Sequence, residues 1–453
     1  MRIKLTILAV FSLVFLSGKG TYSKTSTYPS EPVEYPIKIS KNNRYFTDSN
    51  NRPFFYQACT GWELLSKLTR EETEMYLKNR AEKGFNTIQV TLLPWEVDLV
   101  NRYGEPAFLD KKPFGQPNEK YFEHIDWVLK KAKELGIQLS INVFWLRNNW
   151  QKYTTVENAR TFGEYVAKRF LKHDNIMWFT GGDINPREHI ESQKALSETI
   201  HLFDNKHLLS YHGGRYSDGS STSSSALFHR EPWHDFNMGY CYDPYHCPRL
   251  DPYAPVEFIH AYNLKPVKPV ILGESFYEGL ANYSFKDNNE QLYAVRRNPL
   301  WAITCGAKGH AVGHSKIYPF KEGWQKALDE PNSIMVKNLT RLMGEIQWWT
   351  LIPDQYHEVG INGFGNFGGE DYISLAYDPK GKLAMAYFPN KGKLTVDMSK
   401  FSGKAKARWI DPVNGNVTPV AVNLPQNGTF LFSPPGMKAD GYNDYLLVIE
   451  VMK

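Results

Sequence analysis

Two carboxylates follow short apolar runs that end in glycine. The run 176–180 leads into Gly181-Gly182-Asp183, and the run 269–273 leads straight into Glu274. Two carboxyl groups facing one gap can cleave a glycosidic bond. One holds a proton for the leaving oxygen, and the other attacks the sugar or activates water. Taken singly, Asp183 could cap a helix and Glu274 could pair with a buried cation. Their common place, just past an apolar run, favours a shared role. Other runs end in groups suited to sugars. Thr60-Gly61-Trp62-Glu63 follows the first, Asn142 and Trp145 the third, and His212-Gly213-Gly214-Arg215 the fifth. The sixth gives Tyr240 and Tyr242, and the eighth carries His310 and His314. Aromatic planes cover the C–H faces of a sugar, while His and Asn bind hydroxyls. The expected catalytic pair is Asp183 and Glu274. The expected substrate-binding residues are Trp62, Asn142, Trp145, His212, Tyr240, Tyr242 and His314.

Such groups converge only if the runs are strands of one sheet. Apolar runs at 53–60, 85–91, 137–143, 176–180, 208–212, 236–241, 270–273 and 309–312 read as eight strands. Stretches 71–83, 121–135 and 158–171 have helical periodicity, and the intervening helices weaken after the fifth strand. This alternation predicts an α/β fold, a (β/α)8 TIM barrel, whose catalytic groups sit at the carboxyl ends of the strands. After about residue 353 the texture changes to short alternating runs separated by turn signals such as Asn414-Gly415 and Asn427-Gly428. That pattern predicts a small C-terminal all-β sandwich. The expected organisation is a signal peptide at 1–23, a barrel at 37–355 and a sandwich at 356–453. The run SDGSSTSSS at 217–225 reads as a loop after the fifth strand, on the active face of a barrel.

Composition is ordinary for a globular chain, with 42% hydrophobic and 22% charged residues. The high aromatic share, 14%, fits either a large core or a sugar-contact surface. Net charge is +5, but Arg2, Lys4 and Lys19 belong to the leader, and without them it is +2. No block of like charge suggests a nucleic-acid partner. The basic start, the apolar stretch to Leu16 and the small residues Ser17, Gly18 and Gly20 read as a secretory signal. The expected location is therefore periplasmic or extracellular, with no membrane insertion once the signal is removed. In an oxidising compartment Cys241 and Cys247 could pair, or the four cysteines could be buried thiols. Several motifs fail on context. Gly363 to Gly368 spells GxGxxG but lies in the β-rich tail. His310 and His314 lack the glutamate of HExxH. Asp183-Ile184-Asn185 lacks the rest of a calcium loop. Neither a cofactor nor a metal is expected.

Longer stretches resemble one family. Trp62-Glu63-Leu64-Leu65, Leu68-Thr69-Arg70-Glu71-Glu72, Asn79-Arg80-Ala81, Lys83-Gly84-Phe85-Asn86, Asn101-Arg102-Tyr103-Gly104 and Tyr121-Phe122-Glu123-His124 carry the likeness. Trp178 with Gly181-Gly182-Asp183, and Gly309-His310 with Gly313-His314, extend it. Residues 37–355 resemble the bacterial apiosidases of glycoside hydrolase family 140. Asp411-Pro412 with Gly415, and Ser433-Pro434-Pro435-Gly436, resemble the collagen-binding-type sandwich that follows such barrels. The resemblance implies retaining chemistry, with Asp183 as acid/base and Glu274 as nucleophile. It implies a poly- or oligosaccharide substrate: pectin side chains, with release of a branched pentose such as apiose. Another glycan, or a non-catalytic glycan- or collagen-binding role, is the alternative. The chain departs from the family at Cys59, where the family has an acid before Thr60. If that acid touches sugar in relatives, the sugar here differs.

Overall fold

The computed structural model describes residues 32–452, apart from 97, 148, 185–186, 188, 215–222, 242–253 and 281–284. The expected signal segment and Tyr242 therefore lie outside the described residues. So do Cys247 and most of the serine-rich run.

Eight strands form the central sheet: β1 (Tyr56–Thr60), β2 (Thr87–Thr91), β3 (Gln138–Asn142), β4 (Ile176–Gly181), β5 (Leu209–His212), β6 (Asn237–Cys241), β7 (Val270–Ser275) and β8 (Gly309–His314). They pair in the order β5-β4-β3-β2-β1-β8-β7-β6, so neighbours in sequence are neighbours in space and β1 meets β8. Every pairing in this series is parallel. The result is a nearly closed barrel, with the gap between β5 and β6. Parallel strands covered on both faces need apolar residues on both, which is why these runs read as continuous rather than alternating. The first run divides in two. Pro53–Phe54 joins a small antiparallel sheet with Lys38–Ile39 and Phe46–Thr47, and only Tyr56 onward enters the barrel.

Inside the barrel, Met177, Phe179, Met238, Ile271, Ala58 and Ala311 pack together. A polar layer crosses them. Gln89 Nε2 donates to Tyr56 Oη at 3.1 Å and to the Gly273 carbonyl at 3.0 Å, and Tyr56 Oη donates to Ser140 Oγ at 3.1 Å. Buried polar groups are tolerable when bonded in this way. The layer ties β1, β2, β3 and β7 together beneath the mouth.

The covering helices form where the sequence signals them. Helix α1 (Arg70–Glu82) opens on a capping box in which Thr69 and Glu72 bond each other's backbone N–H. Helix α2 (Glu119–Glu134) buries Tyr121, Phe122, Ile125, Val128, Leu129 and Ala132, one face at helical spacing. Helices α3 (Val156–Phe170) and α4 (Ile190–Phe203) follow β3 and β4. The described link from β5 to β6 holds only the four-residue helix Ser225–Phe228. Helices α5 (Ala254–Asn263), α6 (Asn288–Thr304) and α7 (Pro331–Glu345) complete the layer.

The C-terminal region is all antiparallel sheet. It comprises β9 (Ile352–Pro353), β10 (Gly360–Asn362), β11 (Ser374–Tyr377), β12 (Leu383–Phe388), β13 (Leu394–Asp397), β14 (Ala405–Ile410), β15 (Val417–Leu424), β16 (Thr429–Phe432) and β17 (Tyr445–Val451). Six strands order as β9-β11-β12-β17-β14-β15 and three as β10-β13-β16. Helix α6 is its seat on the barrel. Arg296 forks onto Asp444 at 2.9 and 2.7 Å and reaches Asp440 at 2.6 Å. Trp301 Nε1 donates to the Tyr372 carbonyl at 2.8 Å. Among the described residues no helix is long and apolar enough to cross a membrane.

Candidate active site

The carboxyl ends of the strands hold one compact group. Strand β4 ends in Gly181, and the chain turns sharply through Gly182 and Asp183, with φ of 92°, 117° and 52°. All three lie in the left-handed region, which is costly for Asp183 and natural for glycine. A Cβ on Gly181 would sit 2.5 Å from the His212 carbonyl, and one on Gly182 would sit 2.8 Å from the Trp145 ring. The two glycines therefore let the turn lie flat on β5 and under Trp145. This turn swings the Asp183 carboxylate over the mouth. Tyr240 Oη donates to Asp183 Oδ1 at 2.9 Å, and the exposed Arg147 lies 3.6 Å from Oδ2. Asp183 is not a helix cap, since α4 begins at Ile190 after His189.

Glu274 lies within β7 and is buried. A break in the pairing of β7 with β6, between Leu272 and Glu274, sets its position. One oxygen of Asp183, one of Glu274 and a ring nitrogen of His212 all lie within 4.8 Å of one another. Burial raises the Glu274 pKa, and the Asp183 charge raises it further; the nearby His212 and Tyr277 oppose both.

Aromatic rings wall this group. The His212 ring centre lies 4.8 Å from Trp145, 5.2 Å from Trp62 and 5.8 Å from Tyr240. Trp62 Nε1 donates to Tyr277 Oη at 2.8 Å, which fixes both rings. Trp95 and Tyr318 continue the wall, 5.6 Å apart. The structure thus brings together Asp183, Glu274, Trp62, Trp145, His212 and Tyr240. It does not bring Asn142 and His314 to them as open contacts. Asn142 is fully buried, and its Nδ2 donates to the Gly181 carbonyl at 3.4 Å, supporting the turn from below. Both ring nitrogens of His314 are used within the protein, as described next. Arg147, Tyr277, Trp95 and Tyr318 were not singled out from sequence. Each lies within six residues of a strand end, which is the one signal that could have found them.

Among the described residues, two clusters have the composition of a metal site. In the first, His212 Nε2 is 2.9 Å from Glu274 Oε2. Two ligands on a tetrahedral zinc with bonds of ~2.0–2.1 Å stay roughly 3.3 Å apart, so this contact is too tight for a shared ion. The second joins Glu278, His314 and Glu330. There the Lys316 backbone N–H donates to His314 Nδ1 at 3.0 Å. Nδ1 therefore carries no hydrogen, and Nε2, 2.8 Å from Glu330 Oε2, must carry one. A nitrogen holding that proton is no ligand. The trio is a hydrogen-bonded staple between β8, the two-residue strand Tyr277–Glu278 and the start of α7.

Cys59 lies on the outer side of β1, away from the mouth. Its sulfur is 3.9 Å from the buried Arg80 guanidinium. An acid at this position of the chain would meet Arg80.

A barrel with paired carboxylates in an aromatic pocket at its strand ends defines a protein of the glycoside hydrolase type. The family model described as "Apiosidase-like, catalytic domain" matches residues 40–350, and the chain belongs to that family. A second model, "Putative collagen-binding domain of a collagenase", matches residues 352–450. Among solved structures, a protein titled glycoside hydrolase is 28% identical with a TM-score of 0.80; the match covers 92% of this chain and 97% of that one. A glycoside hydrolase family 5 protein from Bacteroides vulgatus is 26% identical with a TM-score of 0.79, over 92% and 93% of the two chains. No curated protein matches the chain.

Proposed function

We propose that this protein is a secreted, retaining exo-glycosidase that acts on pectin side chains of the plant cell wall and releases a branched pentose such as apiose. The observation that carries the reading is the spacing of Asp183 and Glu274, with oxygens within 4.8 Å. Retaining enzymes hold their carboxyls about 5–5.5 Å apart, whereas inverting ones need about 6.5–9.5 Å to admit water between them. In the proposed reaction Glu274 attacks the anomeric carbon while Asp183 gives its proton to the leaving oxygen. Asp183 then takes a proton from water, which opens the glycosyl ester on Glu274. Tyr240 holds the Asp183 carboxyl in place, and Arg147 stands at the rim, where the leaving group would depart.

Trp62, Trp145 and Tyr240 wall the carboxylate pair and are nearly inaccessible; the exo action is part of the apiosidase-like reading. The apiosidase-like family match supports the branched pentose, and the leader-like first 23 residues support secretion. The test is monosaccharide release from a panel of plant polysaccharides by the full chain and by Glu274→Ala. Release of a pentose from pectin by the parent alone is expected. Equal release by the variant, or none by either, contradicts the reading.

A further inference from the structure

We propose that His212 is a positioning residue that works doubly protonated, as an imidazolium that holds Glu274 ionised beside Asp183. The proposal rests on the reading of Glu274 as nucleophile. The ring cannot turn. It is fully buried and enclosed by Trp62, Trp145, Phe179 and Tyr240. Its Nδ1 lies 2.8 Å from the Gly213 carbonyl oxygen, which can only accept, so Nδ1 carries a hydrogen. Nε2 lies 2.9 Å from Glu274 Oε2, and among the described residues neither atom has a well-aligned hydrogen bond elsewhere.

That contact has only two favourable states. A neutral imidazole presents a bare lone pair on Nε2, and Glu274 must then supply the proton. An imidazolium supplies it instead, and Glu274 is then anionic. A nucleophile has to be anionic, and a neighbouring carboxylate opposes this. Among the described residues, His212 is the one basic side chain paired with Glu274. The titratable groups around the His212 ring, among the described residues, include Asp183, Glu274 and the Tyr240 hydroxyl, and Tyr277 adds a second hydroxyl at Glu274. Arg147 is solvent-exposed and lies 3.6 Å from Asp183, on the rim side. A proton on Nε2 places the compensating charge directly on the nucleophile. It also leaves the second labile proton of the site for Asp183, where the leaving oxygen needs it. The competent pocket then contains Asp183 neutral, Glu274 negative and His212 positive.

The direct test is nitrogen-15 NMR of the full-length protein labelled at histidine. It needs no substrate, so its failure is separate from failure of the glycosidase reading. Both His212 nitrogens should give imidazolium shifts at the pH of maximal activity. In Glu274→Gln the Nε2 proton should be lost at lower pH. A neutral His212 with hydrogen on Nδ1 alone at pH 6 would overturn the proposal, and so would an unchanged titration in Glu274→Gln. Kinetics give a second reading. His212→Gln keeps an N–H donor but no charge. It should lower kcat by about 10²-fold, the cost of one lost charge-stabilising donor, with little change in KM. Its acidic limb should move upward by about one unit, because Glu274 keeps its proton to higher pH. An unmoved acidic limb would also overturn the proposal.

Discussion

Among the described residues, two clusters combine one histidine with two carboxylates, and they are built to opposite ends. In the staple, three bonds from within the protein hold the cluster. Asn332 N–H donates to Glu278 Oε2 at 3.1 Å, Lys316 N–H meets His314 Nδ1, and His314 Nε2 meets Glu330. In the mouth, His212 Nε2 and Glu274 Oε2 are buried without a well-aligned hydrogen bond, although they nearly touch. Their Asp183 neighbour is held on a strained turn. Residue types are nearly the same in both places, with Asp183 where the staple has a glutamate. The difference is completeness: a satisfied cluster joins elements, and an unsatisfied one waits for a substrate or a proton.

Substitutions sharpen this contrast, the largest effect first. Glu274→Ala should lower kcat by about 10⁴-fold or more, as loss of a nucleophile does, with the fold kept by circular dichroism. Asp183→Asn keeps the bond from Tyr240 but has no proton to give. It should cost about 10²–10⁴-fold in kcat on natural linkages. An activated aryl glycoside should lose far less, because its leaving group needs no proton. Equal losses on both substrates would break the assignment of Asp183 as the acid.

In the staple the effect should appear in stability and leave kcat nearly unchanged. Burial pushes the Glu278 carboxyl up to about 7. A folded-state pKa raised above the unfolded one favours folding while the group is protonated, and that advantage is lost as pH rises through 7. Glu278→Gln should therefore stabilise the protein relative to the parent by about 3 kcal/mol at most at pH 8, and by little at pH 5. Melting curves at the two pH values test this. A variant equally stabilised at both would contradict it. The smallest effect is at Cys59. Arg80 bonds Asn79, Ser333 and the Leu328 carbonyl, and among the described residues no carboxylate pairs with it. Cys59→Asp would give it one. We expect a gain of about 1 kcal/mol, since the cation is already buried, and no change in which sugar is released. A shift in sugar preference would return position 59 to the site.

Much of this was legible in the sequence, for identifiable reasons. Parallel barrel strands leave unbroken apolar runs, and catalytic groups follow them, so Asp183 and Glu274 stood out by position. The sandwich strands showed because their turns carry Asn-Gly. What stayed hidden depends on contacts between distant parts of the chain. Asn142 and His314 stand at strand ends like the others, but the turn at Gly181 takes the Asn142 Nδ2 and the residue before α7 takes the His314 Nε2. Arg147 and Tyr277 reach the site from loops whose course no periodicity records. The division of the first run at Phe55 was equally invisible, because both pieces are apolar.

The central claim is that Asp183 and Glu274 act together as a retaining pair. The most direct measurement is proton NMR of the sugar first released from a pectic oligosaccharide, recorded before its anomers equilibrate. The account predicts the anomeric configuration of the bond that was cut. The opposite anomer would mean single displacement by water and would contradict it.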